Sequence, residues 1–233
     1  ASNYQHAFTS RLFNEVRGVN VYLWQRADGL TLIDTGMPWN AFTILKALGD
    51  AGYGPNAVNR IIVTHADFDH VGGLAQIRTA TGAAVIAHAA EVPGITGQRV
   101  RALAKSPLGY ALTPLFRLMD RVIFRYHPTA VDEMVLDRQL LREGFQALHA
   151  PGHAPGQIAL YHPERKILIA GDALAHRDGR LTPPVSFLTP SSVLAVETIK
   201  RLAKLDVEVL CVGHGPPIVG AAGEQLRAFA ATL

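Results

Sequence analysis

At 233 residues, 48% hydrophobic and 18% charged, the chain is long and apolar enough to bury a substantial core, which argues against intrinsic disorder. Its net charge of +3 and pI near 9.2 come from scattered Lys and Arg, so a nucleic-acid partner is not expected. The single cysteine, Cys211, excludes an intramolecular disulfide, and no run approaches the roughly 18 apolar residues of a membrane span.

Arg11–Val16 and Val19–Arg26 read as strands around Gly18, and Ala27-Asp28-Gly29 as the turn that folds the second onto a third, Leu30–Asp34. Ala1–Ser10 lacks the charged-then-apolar pattern of a signal peptide, which makes the cytoplasm the expected location. Trp39–Gly52 carries Phe42, Leu45 and Leu48 at helical spacing. The β-branched run Ile61–Val63 reads as a buried strand, with a helix from Gly72-Gly73 to about Thr81 and a strand at Ala83–Ala87.

From about Glu91 to Pro128 the rhythm changes. Leu112, Leu115, Phe116, Met119, Val122 and Ile123 recur at helical spacing among prolines, with Arg99, Arg101, Lys105, Arg117, Arg121 and Arg125 interleaved. This predicts one or two helices inserted in a β/α scaffold, serving as a lid over a site or as a packing element of a homodimer. Strands resume at Glu133–Leu136, Phe145–His149, Gln157–His162 and Ile167–Ala170. A helix capped by Ser191 or Ser192 runs to Ala203, and the strand Val207–Val212 precedes a closing helix over Gly220–Leu233. Cys211 lies in that last apolar strand, where a thiol acts as a small core residue. No linker or low-complexity segment divides the chain, so residues 1–233 are expected to form one domain.

The strand Ile61–Val63 stops at His65-Ala66-Asp67-Phe68-Asp69-His70, four metal-capable side chains within six residues. Helix capping would need one of them. Two imidazoles and two carboxylates in one loop lose solvation and repel each other unless a cation lies among them, and a divalent metal is the simplest cation. Three later sites repeat the pattern of a polar residue at a strand end beside glycine: His153 in Pro151-Gly152-His153, Asp172 in Gly171-Asp172, and His214 between Gly213 and Gly215. Glycine there lets the backbone turn sharply and approach a ligand closely.

In order, Asp34, the loop from His65 to His70, His153, Asp172 and His214 resemble the five motifs of the metallo-β-lactamase superfamily, from about Val19 to Gly215. The resemblance implies an α/β fold, the αβ/βα four-layer sandwich, here with a helical insertion around 91–128. It also implies a two-metal site between the sheet edges. Carried over by position, His65, Asp67 and His153 would bind one ion, and Asp69, His70 and His214 the other. Asp172 would bridge the two, with water or hydroxide as a second bridge, and Asp34 would be structural. The implied activity is that of a binuclear metal-dependent hydrolase in which a bridging hydroxide attacks the substrate. Asp69 is expected to orient that nucleophile or carry a proton.

The family's loop usually reads His-x-His-x-Asp-His, and here Asp67 stands at the second His. Three carboxylates and a hydroxide then balance the charge of two divalent ions, where the usual set leaves one positive charge over. A less electrophilic first metal is expected, with Mn or Fe competing alongside Zn, the first expectation.

The expected substrate is a small molecule. Zinc β-lactamases with a cysteine ligand carry that thiol where this chain has Asp172, so the chain does not resemble a dedicated antibiotic-degrading enzyme. Asp172 resembles the bridging residue of glyoxalase II, lactonases and phosphodiesterases, and Gly171-Asp172-Ala173-Leu174 with Gly179-Arg180 is similar to the glyoxalase II stretch. Lactonases of acyl-homoserine lactones have Tyr three residues after the bridging Asp. Here that residue is Ala175, with His176 beside it as a candidate hydrogen-bond donor to substrate. Ester, thioester or lactone hydrolysis is the first expectation, and phosphodiester or nucleic-acid cleavage the second. A metal-bound redox or sulfur-handling reaction is the third.

Overall fold

The computed structural model describes residues 18–98, 111–115, 118 and 126–233. The strand expected at Arg11–Val16 and most of the insertion around 91–128 lie outside those residues. β1 (Tyr22–Arg26) and β2 (Gly29–Ile33) form the expected antiparallel hairpin. Helix α1 (Ala41–Asp50) then lays Ile44 and Leu48 onto the sheet. β3 spans Val58–Ile62, starting earlier than its apolar run suggests. The reason is Arg60, whose charge is met by Glu133 and Glu143 at 2.8 Å each, so a polar residue can occupy a central strand.

Two short helices follow, α2 (Phe68–Val71) and α3 (Leu74–Thr81), then β4 (Ala84–His88). Within the insertion, the described residues include α4 (Val92–Ile95) and helical residues at 111–115 and 118. β5 (Glu133–Val135) completes a sheet of order β1-β2-β3-β4-β5, in which β2 to β5 run parallel.

The second sheet contains β6 (Gln146–His149), β7 (Ile158–His162), β8 (Ile167–Ile169), β11 (Val209–Cys211) and β12 (Ile218–Val219), in the order β12-β11-β8-β7-β6. A separate hairpin, β9 (Ala175–Arg177) and β10 (Arg180–Thr182), was not expected, nor was β12. Ser191 caps α5 (Ser192–Leu202) by accepting from Leu194 N, and α6 (Ala222–Ala230) follows β12.

The side-chain alternation of the strands defines the layers. Ile62, Ile33 and Ile86 from one sheet meet Phe145, Ile158, Leu160, Ile167 and Ile169 from the other in a core between the sheets. Their neighbours turn outward: Leu32, Ile61 and Val85 pack under α1 and α3, while Leu168 and Leu210 pack under α5 and α6. The order is helix, sheet, sheet, helix, the αβ/βα sandwich expected from the sequence. Both faces of each central strand are buried, at about 1.5–3 kcal/mol for each large side chain, which explains their unbroken apolar runs. No helix among the described residues is long and apolar enough to cross a membrane.

Candidate metal centre

The C-terminal ends of β2, β3, β8 and β11 point the same way, so the residues that follow them meet at one edge of the sandwich. Backbone bonds carry the ladders beyond the strands: Asp34 N donates to Ile62 O, Ala170 N to Cys211 O, and Gly213 N to Gly171 O. Ile158 N donates to Thr64 O, which ties the loop after β3 to the second sheet. The loop between β6 and β7 adds His153. Sequence-distant residues are thereby brought together on a rigid frame.

Asp34 occupies the left-handed region (φ 62°), a strained conformation for a residue with a Cβ. It aims both carboxylate oxygens at the loop after β3. Oδ1 accepts from Thr64 N and Oδ2 from the Thr64 hydroxyl, each at 2.7 Å, and Oδ2 also pairs with His70 Nδ1 at 2.8 Å. Because its hydroxyl proton goes to Asp34, Thr64 Oγ1 accepts from His65 Nδ1 at 3.0 Å. His214 Nδ1 donates to Gly18 O. All three rings are therefore fixed with the proton on Nδ1 and the Nε2 lone pair directed away from these partners. Asp34 orients the rings of His65, through Thr64, and of His70, and belongs to none of the groups able to hold a metal ion.

Those Nε2 atoms converge with the carboxylates. Asp67 stands at the N-cap position of α2, yet its side chain makes no capping bond. Its Oδ2 lies 3.3 Å from His65 Nε2 and 3.0 Å from His153 Nε2. On the other side, Asp69 Oδ2 lies 3.5 Å from His214 Nε2. Asp172 reaches both clusters, at 3.3 Å from His70 Nε2, 3.0 Å from His214 Nε2 and 3.6 Å from His153 Nε2. His65, Asp67 and His153 form one group able to hold a metal ion. Asp69, His70 and His214 form another, and His65, His70 and Asp172 a third that overlaps both.

The donors fit divalent ions on their own chemistry. His65 Nε2, His70 Nε2 and Asp172 Oδ1 are buried without a hydrogen-bond partner among the described residues. Such orphaned atoms are costly unless a cation or proton joins them. Burial pulls the His70 pKa down, but Asp172, Asp34 and Asp69 outweigh it and hold the ring well above its ordinary value. Burial also opposes charge on Asp172, and His70 and His214 outweigh it, keeping this carboxylate well below its usual range. For His214 too, burial is outweighed by Asp172, and its pKa is raised. The centre thus attracts positive charge from whatever supplies it. Gly213 leaves the space: a Cβ there would collide with Asp172 Oδ1.

Two positioning residues were not anticipated. Glu91, 2% exposed, accepts from Ala66 N at 2.9 Å through one oxygen and from Gly156 N at 2.6 Å through the other. It couples the loop of His65 and Asp67 to the loop of His153. Thr64 is the other. A helix-capping carboxylate before a Val-Pro pair is an ordinary sequence feature, so nothing marked Glu91.

Above the centre lies a cleft of ≈ 150 Å³, open to solvent, with Asp67, Asp69, Asp172, His153 and His214 at its floor and Phe68, Leu174, Pro183, Val185 and Leu188 among its walls. His176, expected to donate to substrate, is not among its lining residues. Its Nδ1 lies 2.7 Å from Pro216 O, and the alternation of β9 gives the cleft Ala175 and Arg177 instead.

Comparison with known proteins agrees with this geometry. Residues 14–214 match the profile of the metallo-beta-lactamase superfamily. The chain belongs to that superfamily. It is 31% identical to "Probable metallo-hydrolase YflN" of Bacillus subtilis (strain 168), over 88% of this chain and 83% of that protein. It is 30% identical to acyl-coenzyme A thioesterase MBLAC2 of Bos taurus, over 88% of this chain and 75% of the other. A hydroxyacylglutathione hydrolase of Ectopseudomonas mendocina (strain ymp) is 28% identical over 66% of this chain, which spans 47% of that protein's length. Among solved structures, a metallo-beta-lactamase family protein of Thermus thermophilus superposes with a TM-score of 0.72, at 26% identity over 92% of this chain and 74% of that one. Another superfamily structure, solved in a di-iron-bound form, has a TM-score of 0.65 at 28% identity over 86% of this chain and 89% of the other. In class, this superfamily member is a metal-dependent hydrolase.

Proposed function

We propose that this chain hydrolyses an ester, thioester or lactone of a small molecule at a two-metal centre. His65, Asp67 and His153 would hold one divalent ion, Asp69, His70 and His214 the second, with Asp172 shared. Zn is the first candidate, with Mn and Fe favoured beyond the family norm by the oxygen donor Asp67. The observation that carries the reading is the reach of Asp172 to rings of both groups at the floor of one cleft. The bound ions would supply Lewis acidity and a water acidified toward neutrality.

The chain's own residues do the rest. Asp34 and Thr64 engage Nδ1 of His70 and His65 and leave Nε2 facing the centre, so the rings need not turn when an ion takes the place of a proton there. Asp69 lines the cleft and is the carboxylate placed to orient the nucleophile or take up a proton. Phe68, Leu174 and the Pro183-Pro184 wall exclude water and take the apolar part of the acyl group. The names of the thioesterase and hydroxyacylglutathione hydrolase relatives favour a thioester among the three bond types.

The test is a side-by-side assay of a thioester, a lactone and bis-nitrophenyl phosphate with metal-analysed protein. Thioester turnover above the other two by an order of magnitude is expected. Phosphate-diester turnover exceeding both would overturn the reading in favour of a phosphodiesterase.

A further inference from the structure

The last residues of β4 and β6, His88 and His149, meet between the two sheets and belong to none of the groups able to hold a metal ion. Their rings stack, with centroids 4.5 Å apart and planes inclined by 6°. Together they hold one peptide unit. His149 Nε2 donates to Pro155 O at 2.9 Å, and the N–H of that same peptide, on Gly156, goes to Glu91 at 2.6 Å. His88 packs against it, since a Cβ on Gly156 would come within 2.8 Å of His88 Nδ1. This peptide closes the loop that carries His153.

The two rings use their protons differently. His88 Nδ1 accepts from Ala90 N at 3.2 Å and so caps the turn Ala89–Glu91 that presents Glu91. A ring nitrogen that accepts carries no proton, so this cap exists only while His88 is neutral. A second proton would set N–H against N–H at Ala90 and a charge against the stacked His149 ring. His149 donates through Nε2, which it can do in either charge state. The charged and titratable groups around the pair are Glu91 on the turn, Asp137, which accepts from His149 N at 2.8 Å, and Arg201 of α5, which donates to His149 O. Burial first, and then His149, lower the His88 pKa, while Glu91 and Asp137 pull against them. The capped form is therefore complete above about 6.5, the ordinary histidine value, and is lost as pH falls through the lowered folded value.

We propose that the His88–His149 stack is a proton-operated clamp on the loop of His153, with both histidines acting as positioning residues for the buried metal group. Protonation of His88 uncaps the turn, draws Glu91 away from Gly156 and Ala66, and loosens both loops that carry His65, Asp67 and His153. Mild acid would then release an ion by a route separate from protonation of its ligands. This rests on the reading of those three residues as ligands, so the test begins on metal-free protein.

Amide exchange of Gly156 and Ala66, corrected for the intrinsic rate and followed from about pH 8 to about pH 5 beside the NMR signal of the His88 ring, reports the clamp. In wild type, exchange at both amides should rise roughly fivefold toward acid, the scale of one lost hydrogen bond, with the midpoint of the His88 titration. In His88→Asn, whose carboxamide caps without titrating, it should stay near the neutral wild-type level throughout. In His149→Phe, which keeps a stacking ring and loses the donor, Gly156 should exchange faster at every pH. The ligand rings titrate in all three proteins, so the difference between wild type and His88→Asn belongs to His88. No step in wild type at the His88 midpoint, or the same step in His88→Asn, overturns the proposal. Should His88→Asn fail to fold, the agreement or disagreement of the two wild-type midpoints still decides. With metal added, chelator competition should show wild type losing about fivefold more affinity at the buried group than His88→Asn between neutral and about pH 5.5. Equal losses would overturn the action of the clamp on a metal. Protein that shows the exchange step yet binds no metal would refute the ligand reading and leave the clamp standing.

Discussion

The two candidate ligand groups are held by different parts of the fold. His65, Asp67 and His153 are all buried, and Thr64 and Glu91 brace them from within the sandwich. Both groups reach the cleft floor, but Asp69 and His214 are the more open to it, with side chains 13% and 23% exposed, and His214 is steadied by a backbone carbonyl at Gly18. An interior site braced by buried hydrogen bonds should hold its ion tightly, while a site at the cleft should exchange ions and meet the substrate. Asp172 reaches rings of both groups, so its loss should erase the distinction.

That is the largest expected effect. Asp172→Ala should lower metal content at both groups and turnover by about a thousandfold or more, the scale of losing a group that stabilises developing charge. Wild-type turnover in this variant, with full metal content, would contradict the shared role.

Glu91→Gln should separate the groups. The amide keeps one acceptor but presents N–H to the second backbone N–H, loosening one of the two loops. Affinity at the buried group should fall about 10–100-fold, the usual cost of disturbing an outer partner, while the group at the cleft stays near wild type. Competitive titration with a chromogenic chelator would resolve the two steps. A parallel loss at both would mean that Glu91 merely supports the fold.

Asp67→His restores the family's usual ligand and acts on the same group by a smaller amount. Protein grown in mixed metals should take several-fold more Zn relative to Mn and Fe than wild type does, as read by elemental analysis. An unchanged ratio would remove Asp67 as the source of metal preference.

The smallest effect is on pH. His70 has a raised folded pKa, so in metal-stripped protein its stabilisation is complete below the ordinary histidine value and is lost as pH rises through the folded value. Asp172 has a depressed one, so its share is present above the ordinary carboxylate value and is lost as pH falls through the folded value. Stripped protein should have its highest Tm between those limits, about pH 4 to 6.5, and lose a few degrees on the alkaline side. Metal-loaded protein should not, because metal binding displaces the His70 proton and strengthens as pH rises. A stripped-protein Tm that climbs from pH 6.5 to 8.5 would contradict the assignment.

Much of this was legible in the sequence. His65, Asp67, Asp69 and His70 crowd one loop, His153, Asp172 and His214 each follow an apolar strand beside glycine, and the family resemblance joined them into one expected centre. The bracing was not legible, because Glu91 meets Ala66 and Gly156 only when the two halves close. The β9–β10 hairpin was missed for a different reason. Its strands have three residues each, too few to display alternation, and a one-residue difference in parity decides whether His176 or Arg177 borders the cleft. Arg60 in β3 shows the same limit, since its carboxylate partners lie 73 and 83 positions away.

The most direct test of the centre is the metal-to-protein ratio of purified, gently dialysed protein, measured together for wild type, Asp67→Ala, His214→Ala and Asp172→Ala. Two ions per chain in wild type, about one in each of the first two variants and fewer than one in the third are the predicted result. A single ion in wild type that is unaffected by His214→Ala would contradict the two-metal centre.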